Sequence, residues 1–396
     1  MIRQPRTLVF ALLAALGACA TQPNNSSTPL QPEIATGFTR KADVVTQKFA
    51  VAAANPLATQ AGFEMLKAGG SAVDAVIAVQ MVLGLVEPQS SGIGGGAFLL
   101  HSTATQGGRA KVQAFDGRET APAAATEDML LHADGKPLVF HDAVVGGRSV
   151  GTPGVLRMLA QAHAQHGKLP WTKLFEPAIA FSPRLHAQLK ADAYLRLDAS
   201  ARAYFYQANG EPHAIGHVLR NPELAAVLQR IATEGVQAFY SGEVAEAVVR
   251  KVQQHPSNPG RLALSDLANY QAKERTPVCF DHAAASRVYR VCGFPPPSSG
   301  AIAIGQILGM LQHTPASLMS PPTEVVDGTP DPRWLHLYTE ASRLAFADRA
   351  LYVADPDFAP APSGEWQSLL APAYLRERAK LIRPTAMPQA LPGVPV

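Results

Sequence analysis

Ser90-Ser91-Gly92-Ile93-Gly94-Gly95-Gly96-Ala97 carries the letters of a dinucleotide-binding turn, with Gly92, Gly94 and Ala97 at the fingerprint offsets. Its surroundings argue against that reading. A phosphate-binding turn of this kind leaves a strand and enters a helix, so that the helix N-terminus meets the pyrophosphate. Here the order is reversed. Ser71 opens a helix with Asp74 three residues on, which is the spacing of a capping box. Val73, Val76, Ile77, Met81 and Leu85 then make that helix apolar almost all round, as a buried helix is. After the glycines, Ala97-Phe98-Leu99-Leu100 reads as a strand. A helix that passes to a strand through glycines predicts backbone packed closely against a neighbouring element.

Outward from this stretch, Phe49–Ala54 reads as a short strand and Pro56–Ala68 as a helix stopped by Gly69-Gly70. Lys111–Phe115 reads as a strand that runs into Asp116-Gly117-Arg118-Glu119-Thr120-Ala121-Pro122. Thr152-Pro153 starts a helix to Gln165, with Thr as cap and Pro at the first position. Asn221-Pro222 starts another in the same way, and Ser241 caps a third through Val244–Val252. Val278–Phe280 and Arg287–Val291 read as strand, turn, strand, ahead of the stiff loop Pro295-Pro296-Pro297-Ser298-Ser299-Gly300 and a helix over Ala301–Leu311. The longest helical pattern is Trp334–Ala354, where Leu337, Ala341, Leu344, Asp348 and Leu351 share one stripe. A carboxylate on an apolar stripe needs a charged or multiply hydrogen-bonded partner, so Asp348 reads as half of an internal ion pair ahead of a catalytic acid.

The chain has 396 residues, of which 47% are hydrophobic, so it is long and apolar enough for a large core. Its net charge of +3 leaves no polyelectrolyte footprint and argues against a nucleic-acid partner. Charged residues make up 16%, against a typical share of about 25%. Either another subunit covers part of the surface, or uncharged polar groups coat it. The 33 prolines and 31 glycines predict many turns and exclude a simple helical bundle.

Residues 1–18 hold Arg3 and Arg6 and then the apolar run Leu8–Leu16, too short to span a bilayer and matched to a secretory signal. Leu16-Gly17-Ala18-Cys19 resembles a bacterial lipobox, which would make Cys19 a lipid-bearing first residue; the alternative is an ordinary signal peptide containing a Cys. Residues 19–44 then read as a flexible tether. Both readings expect a periplasmic protein, and the first adds a lipid anchor to the outer membrane. In that compartment Cys279 and Cys292 either pair across their hairpin or stay reduced in the core. No HExxH helix or Cys/His zinc spacing is present, so no metal is expected, and His163 and His166 read as solvated histidines at a helix end. The proline-rich stretch 384–396 reads as a mobile tail.

Several of these segments, in order, resemble the large subunit of the γ-glutamyltransferases (γ-glutamyltranspeptidases, or glutathione hydrolases). They are Ala54-Asn55-Pro56-Leu57-Ala58-Thr59, Gly69-Gly70-Ser71-Ala72-Val73-Asp74-Ala75, Glu87–Gly96, Asp116–Pro122, Gly147-Arg148-Ser149-Val150-Gly151-Thr152-Pro153-Gly154, Asp266–Tyr270, Pro295–Gly300 and Ala345–Ala350. The likeness runs over residues 45–383. It implies an α+β fold of the N-terminal-nucleophile hydrolase type, a four-layer αββα sandwich completed by a small subunit. It implies a partner whose N-terminal Thr attacks the γ-glutamyl amide of small molecules such as glutathione, its own α-amino group serving as base. The γ-glutamyl group then passes to water or to an amino acid, and no cofactor is expected. Arg118 is the substrate-binding residue the resemblance implies, gripping the α-carboxylate of the γ-glutamyl group. A planar guanidinium fork suits a carboxylate. From sequence alone, an ion pair of Arg118 with Asp116 or Glu119 is the competing reading.

Three departures matter. Pro177–Arg184 looks shortened, and Ala301 stands where a second Gly is common. The sequence also reaches Val396 without a nucleophile motif, since Thr329 precedes Pro330 and Thr385 lies in the loose tail. The expectation is therefore a processed large subunit, a split gene product or a truncation, inactive by itself. A non-catalytic γ-glutamyl-binding remnant and a subunit of a related acylase are the alternatives.

Overall fold

The computed structural model describes residues 44–104, 110–175, 183–284, 286–319 and 331–395. The expected leader over 1–18, Cys19, nearly all of the tether, residues 177–182 and Thr329 lie outside them.

Helix α1 (Pro56–Lys67) starts where Asn55 Oδ1 accepts from the Leu57 amide, and it ends ahead of Gly69, whose φ of +89° suits glycine. Helix α2 (Ala72–Val86) carries the full capping box between Ser71 and Asp74. Val73, Ile77, Met81 and Leu85 are buried, whereas Val76 is exposed. Residues 49–54 form no strand. They lie on α1 instead, with the Phe49 ring 5.3 Å from Phe63 and the Val51 side chain against Gly62.

Strands β1 (Ala97–Thr103) and β2 (Lys111–Gly117) pair antiparallel, with Phe98 opposite Asp116. Short helix α3 (Phe140–Val144) precedes α4 (Val155–His166). Helix α4 begins later than its Thr-Pro signal predicts, because Thr152 is held in a backbone bridge to Thr120 and the carbonyl of Gly95 takes the amides of Gly154 and Val155. Helices α5 (Pro183–Ala191), α6 (Ala199–Phe205), α7 (Pro222–Glu234), α8 (Gln237–Tyr240), α9 (Gly242–Gln253) and α10 (Leu264–Asn269) follow. Asn221 caps α7 as expected, but Ser241 turns its hydroxyl back to the Gln237 carbonyl and does not cap α9. Strand β3 (Lys273–Arg275) then joins β2, completing the order β1-β2-β3. The main core sits between this sheet and its helices: Ile77 and Met81 of α2, Phe115 of β2, Leu156 and Leu159 of α4, Ile231 of α7 and Tyr240 of α8 are each almost fully buried.

Strands β4 (Val278–Ala284) and β5 (Arg287–Gly293) form a hairpin with Cys279 directly opposite Cys292, and the two sulfurs are bridged. Helices α11 (Gly300–Leu311), α12 (Pro332–Tyr352) and α13 (Pro372–Ala379) make a second core through Ile302, Met310, Ala341, Leu344 and Leu375.

Residues 384–395 differ from the loose tail expected. The Met387 amide donates to Glu340 Oε2 (2.8 Å) and the Gly393 amide to Asp348 Oδ1 (2.8 Å). Ser363 Oγ donates to the Pro395 carbonyl (3.0 Å), and Arg343 and Arg378 donate to carbonyls of Met387 and Leu391. Proline removes amide donors but leaves carbonyls, and Arg343 of α12 and the buried Arg378 of α13 take up two of those. No described helix is long and apolar enough to cross a membrane.

Candidate functional site

Arg118 stands one residue beyond the end of β2, exposed, on a turn whose every neighbour is tied down. Asp116 is buried and divides its carboxylate. Oδ1 accepts from the Arg118 amide (3.0 Å), and Oδ2 accepts from Arg275 Nε (2.6 Å) on β3. The carbonyl of Arg118 accepts from Tyr270 Oη (2.7 Å). Burial, together with the nearby Tyr240, Asp116 and Glu119, pushes the Tyr270 phenol well above its ordinary range, so it stays protonated and remains a donor. Glycine is required where this tyrosine arrives: a Cβ on Gly154 would stand 2.0 Å from Tyr270 Oη.

Glu119 does not pair with Arg118. Its Oε1 accepts from the Gly96 amide (2.7 Å), and a Cβ on Gly96 would lie 2.6 Å from both Glu119 Oε2 and the Gly117 carbonyl. The glycine-rich stretch is thus clamped between Glu119 and the start of α4, in agreement with the close-packing reading.

Both acidic neighbours of Arg118 are therefore committed elsewhere. Its guanidinium lies 5.8 Å over the ring of Phe98 and makes no ion pair among the described residues. Phe98 in turn stacks on Phe294 at 4.1 Å, just after β5. A cation held over an aromatic face keeps its in-plane donors available to an external carboxylate. Beyond Phe294, in the Pro295–Gly300 loop, Ser299 Oγ accepts from Arg349 Nε (2.8 Å).

The Asp116 side of the site continues outward. Arg275 also donates to Asp357 (2.9 Å). Burial works against the charge of Arg275, but hydrogen bonds to Asp357 and Asp116 outweigh it and raise the guanidinium pKa above its ordinary value. Hydrogen bonds from Arg275 and Lys273 hold the Asp357 carboxyl down to about 2. Tyr270, Arg275, Phe98 and Asp357 belong to this candidate site, and the sequence reading gives them no role. Tyr270 closes a motif quoted above, which is a signal without a role; the others have no local signature.

The remaining candidates lie apart from this turn in function. Asp348 pairs with Arg378 (2.9 Å) and also accepts from Gln306 Nε2, Tyr374 Oη and the Gly393 amide. It is saturated and buried, as the internal ion-pair reading expects. His163 and His166 are half-buried and hold protein partners, where the sequence suggests solvated histidines. His163 Nε2 sits 3.0 Å from the Leu169 carbonyl and 3.4 Å from the buried Asp74, while His166 meets Gln113 and stacks on His101. No cluster of three or more metal-ligating side chains occurs among the described residues. Thr385 is exposed.

Comparison with known proteins bears on this geometry. The family model described as gamma-glutamyltranspeptidase matches residues 58–393. The glutathione hydrolase proenzyme of Pseudomonas aeruginosa is 35% identical over 342 residues, covering 85% of this chain and 57% of that protein. The chain therefore spans little more than half the length of this curated relative. Among solved structures, the Helicobacter pylori gamma-glutamyltranspeptidase superposes with a TM-score of 0.78 at 28% identity, covering 89% of this chain and 98% of that one. Cephalosporin acylase from Bacillus halodurans superposes with a TM-score of 0.70 at 28% identity, covering 91% of this chain and 66% of that one. The fold is accordingly of the N-terminal-nucleophile hydrolase type, with mixed helix and sheet.

Proposed function

The chain belongs to the gamma-glutamyltranspeptidase family, and from that premise we propose that it forms the substrate-gripping part of a glutathione hydrolase. In this reading Arg118 holds the α-carboxylate of a γ-glutamyl group. A second polypeptide, the small subunit, brings an N-terminal Thr. The Thr hydroxyl attacks the γ-amide carbon, its proton passing by way of the Thr α-amino group to the departing amine. A γ-glutamyl ester forms and the C–N bond breaks. Water or an amino acid then attacks the ester, and the Thr hydroxyl is restored.

The observation that carries the reading is the state of Arg118. Its backbone is fixed by Asp116 and Tyr270, yet its guanidinium has no carboxylate partner among the described residues. An arginine held rigidly at a strand end and left unpaired is suited to an external anion. The partner accounts for the exposed apolar surface as well: Leu100 of β1, Ile304 of α11, and Phe346 and Leu351 of α12 are all solvent-facing.

Arg118→Lys tests this in the assembled enzyme. A lysine keeps the charge but loses the planar fork. We expect unchanged folding and a specificity constant for a γ-glutamyl anilide reduced by about 1.5–3 kcal/mol of transition-state binding, as for hydrogen bonds to charged groups. An unchanged specificity constant would remove Arg118 from the site. The acylase likeness favours a second reading, cleavage of other acyl amides. Running both substrate classes in parallel separates them: an enzyme that removes acyl side chains but spares the γ-glutamyl anilide is an acylase.

A further inference from the structure

The Gly147–Gly154 motif contains a second arginine that the proposed reaction leaves unused. Arg148 is half-buried, and its guanidinium is aimed by two contacts: Nε donates to Asn258 Oδ1 (2.6 Å) and Nη1 to the Met129 carbonyl (3.2 Å). Asn258 is itself buried and spends its amide on the carbonyls of Asp142 (3.1 Å) and Val145 (2.7 Å). The backbone beneath is equally fixed. The Gly147 amide donates to the Asn258 carbonyl, and a Cβ on Gly260 would stand 1.9 Å from the Gly147 carbonyl. Arg148 forms no ion pair among the described residues, and its Nη2 donates to no described atom.

Arg148 lines a cleft of about 210 Å³ together with Asp128, Met129, Pro259 and Arg261. Arg261 Nη1 is anchored on the Ala124 carbonyl (2.8 Å) and on Thr126 Oγ1 (3.1 Å), and its other donors meet no acceptor among the described residues. Asp128 is the only anion of the five. A hydrogen bond from Thr126, then its own backbone amide, hold its carboxyl below the usual range, so it is ionised at neutral pH. The lining thus offers two guanidiniums and one carboxylate. The volume is below the roughly 300–1,000 Å³ of ordinary ligand pockets and admits only a small molecule.

We propose that this cleft binds an acidic α-amino acid, whose two carboxylates and one ammonium are the charge complement of Arg148, Arg261 and Asp128. The site is separate from Arg118. Complementary charges on a preformed frame give selectivity over ligands that lack one of the three groups.

The test titrates L-glutamate by calorimetry into Arg118→Gln protein, so that the Arg118 turn contributes no binding. Glutarate, which lacks the ammonium, and inorganic phosphate are the comparison ligands. The proposal expects saturable glutamate binding, weakened about fivefold by Arg261→Gln, the scale of an exposed ion pair. It expects glutarate to bind about fivefold less tightly, a difference that Asp128→Asn erases. Both substituted side chains are exposed, and unchanged circular dichroism verifies folding. Loss of all glutamate binding in Arg118→Gln protein overturns the cleft and leaves the Arg118 reading standing. Phosphate binding as tightly as glutamate, or binding indifferent to both cleft substitutions, also overturns it. Persistent cleft binding alongside an Arg118→Lys enzyme of full specificity would instead overturn only the Arg118 reading.

Discussion

Asp116 and Asp348 are both buried carboxylates paired with an arginine, and they do opposite things. Asp348 meets donors on all sides: Arg378 Nη2 and the Gly393 amide on Oδ1, Gln306 Nε2 and Tyr374 Oη on Oδ2. Its partners come from α11, α13 and the proline-rich segment, so it fastens three pieces of chain and reaches nothing outside. Among the described residues Asp116 takes two donors, and one of them is the amide of Arg118. By occupying itself with Arg275, it leaves the Arg118 guanidinium without a carboxylate partner among the described residues. The role of a buried acid is thus read from what its partners are left free to do.

That contrast predicts its largest effect at Asp348. In Asp348→Asn, an amide would turn its own N–H groups toward donors, and Arg378 would lose its counter-charge while staying buried. Removing one member of a buried pair costs about 3–5 kcal/mol. Urea unfolding should show a loss of that order, with the proline-rich segment released to proteolysis. A loss below 1 kcal/mol would mean that water replaces the missing contacts and that the fastening is loose.

The Asp116 side is wetter, and its response should be smaller and pH-dependent. Asp357, the outer partner of Arg275, has its carboxyl held down to about 2 from an ordinary 3.8. A folded-state pKa below the unfolded one gives stability that is present above the unfolded value and lost as pH falls through the folded one. The gap between the native protein and Asp357→Asn should be full at pH 5–7, shrink below about pH 4, be mostly lost by about pH 2 and vanish near pH 1. Its plateau, after allowance for solvent screening, should be about 1–2 kcal/mol. A gap that persists undiminished at pH 2 would assign the effect to packing and not to charge.

The two regions also differ in how far they could be read from the chain. The Asp348 prediction rests on a three- and four-residue rhythm in one helix, which is local information. So do the Ser71 cap, the Asn221 cap and the strand leading to Arg118. The partners that define the site are remote: Tyr270 is 152 residues from Arg118, and Arg275 is 159 from Asp116. No spacing in the sequence foretells contacts at that distance. Tertiary contacts also overrode local signals. Thr152 left its capping role for a bridge to Thr120, and residues 49–54 found α1 in place of a strand. The tail misled for a related reason, because composition reports missing periodicity but not the carbonyls that α12 and α13 collect.

The smallest effect separates fixing a turn from fixing a core. Tyr270→Phe removes a single O–H, the donor to the Arg118 carbonyl, while the ring can keep its stacked place beside Tyr240. A neutral hydrogen bond of this kind is worth about 0.5–1.5 kcal/mol. Because burial keeps the phenol protonated far past neutrality, the deficit should be flat from pH 6 to 9, unlike the Asp357 deficit. The Arg118 turn would still be tied at its amide by Asp116, so the chain should fold. Its carbonyl, released, lets the guanidinium sample more directions over Phe98. On the proposed function, the assembled enzyme should then show a KM for γ-glutamyl anilide raised severalfold with kcat nearly unchanged, since a loosened Arg118 grip would weaken ground state and transition state together. A fall in kcat with an unmoved KM would place Tyr270 nearer the reacting atoms than a carbonyl tether. No change in either would leave Asp116 as the sole support of the turn, and the division of labour between the two buried acids would be sharper still.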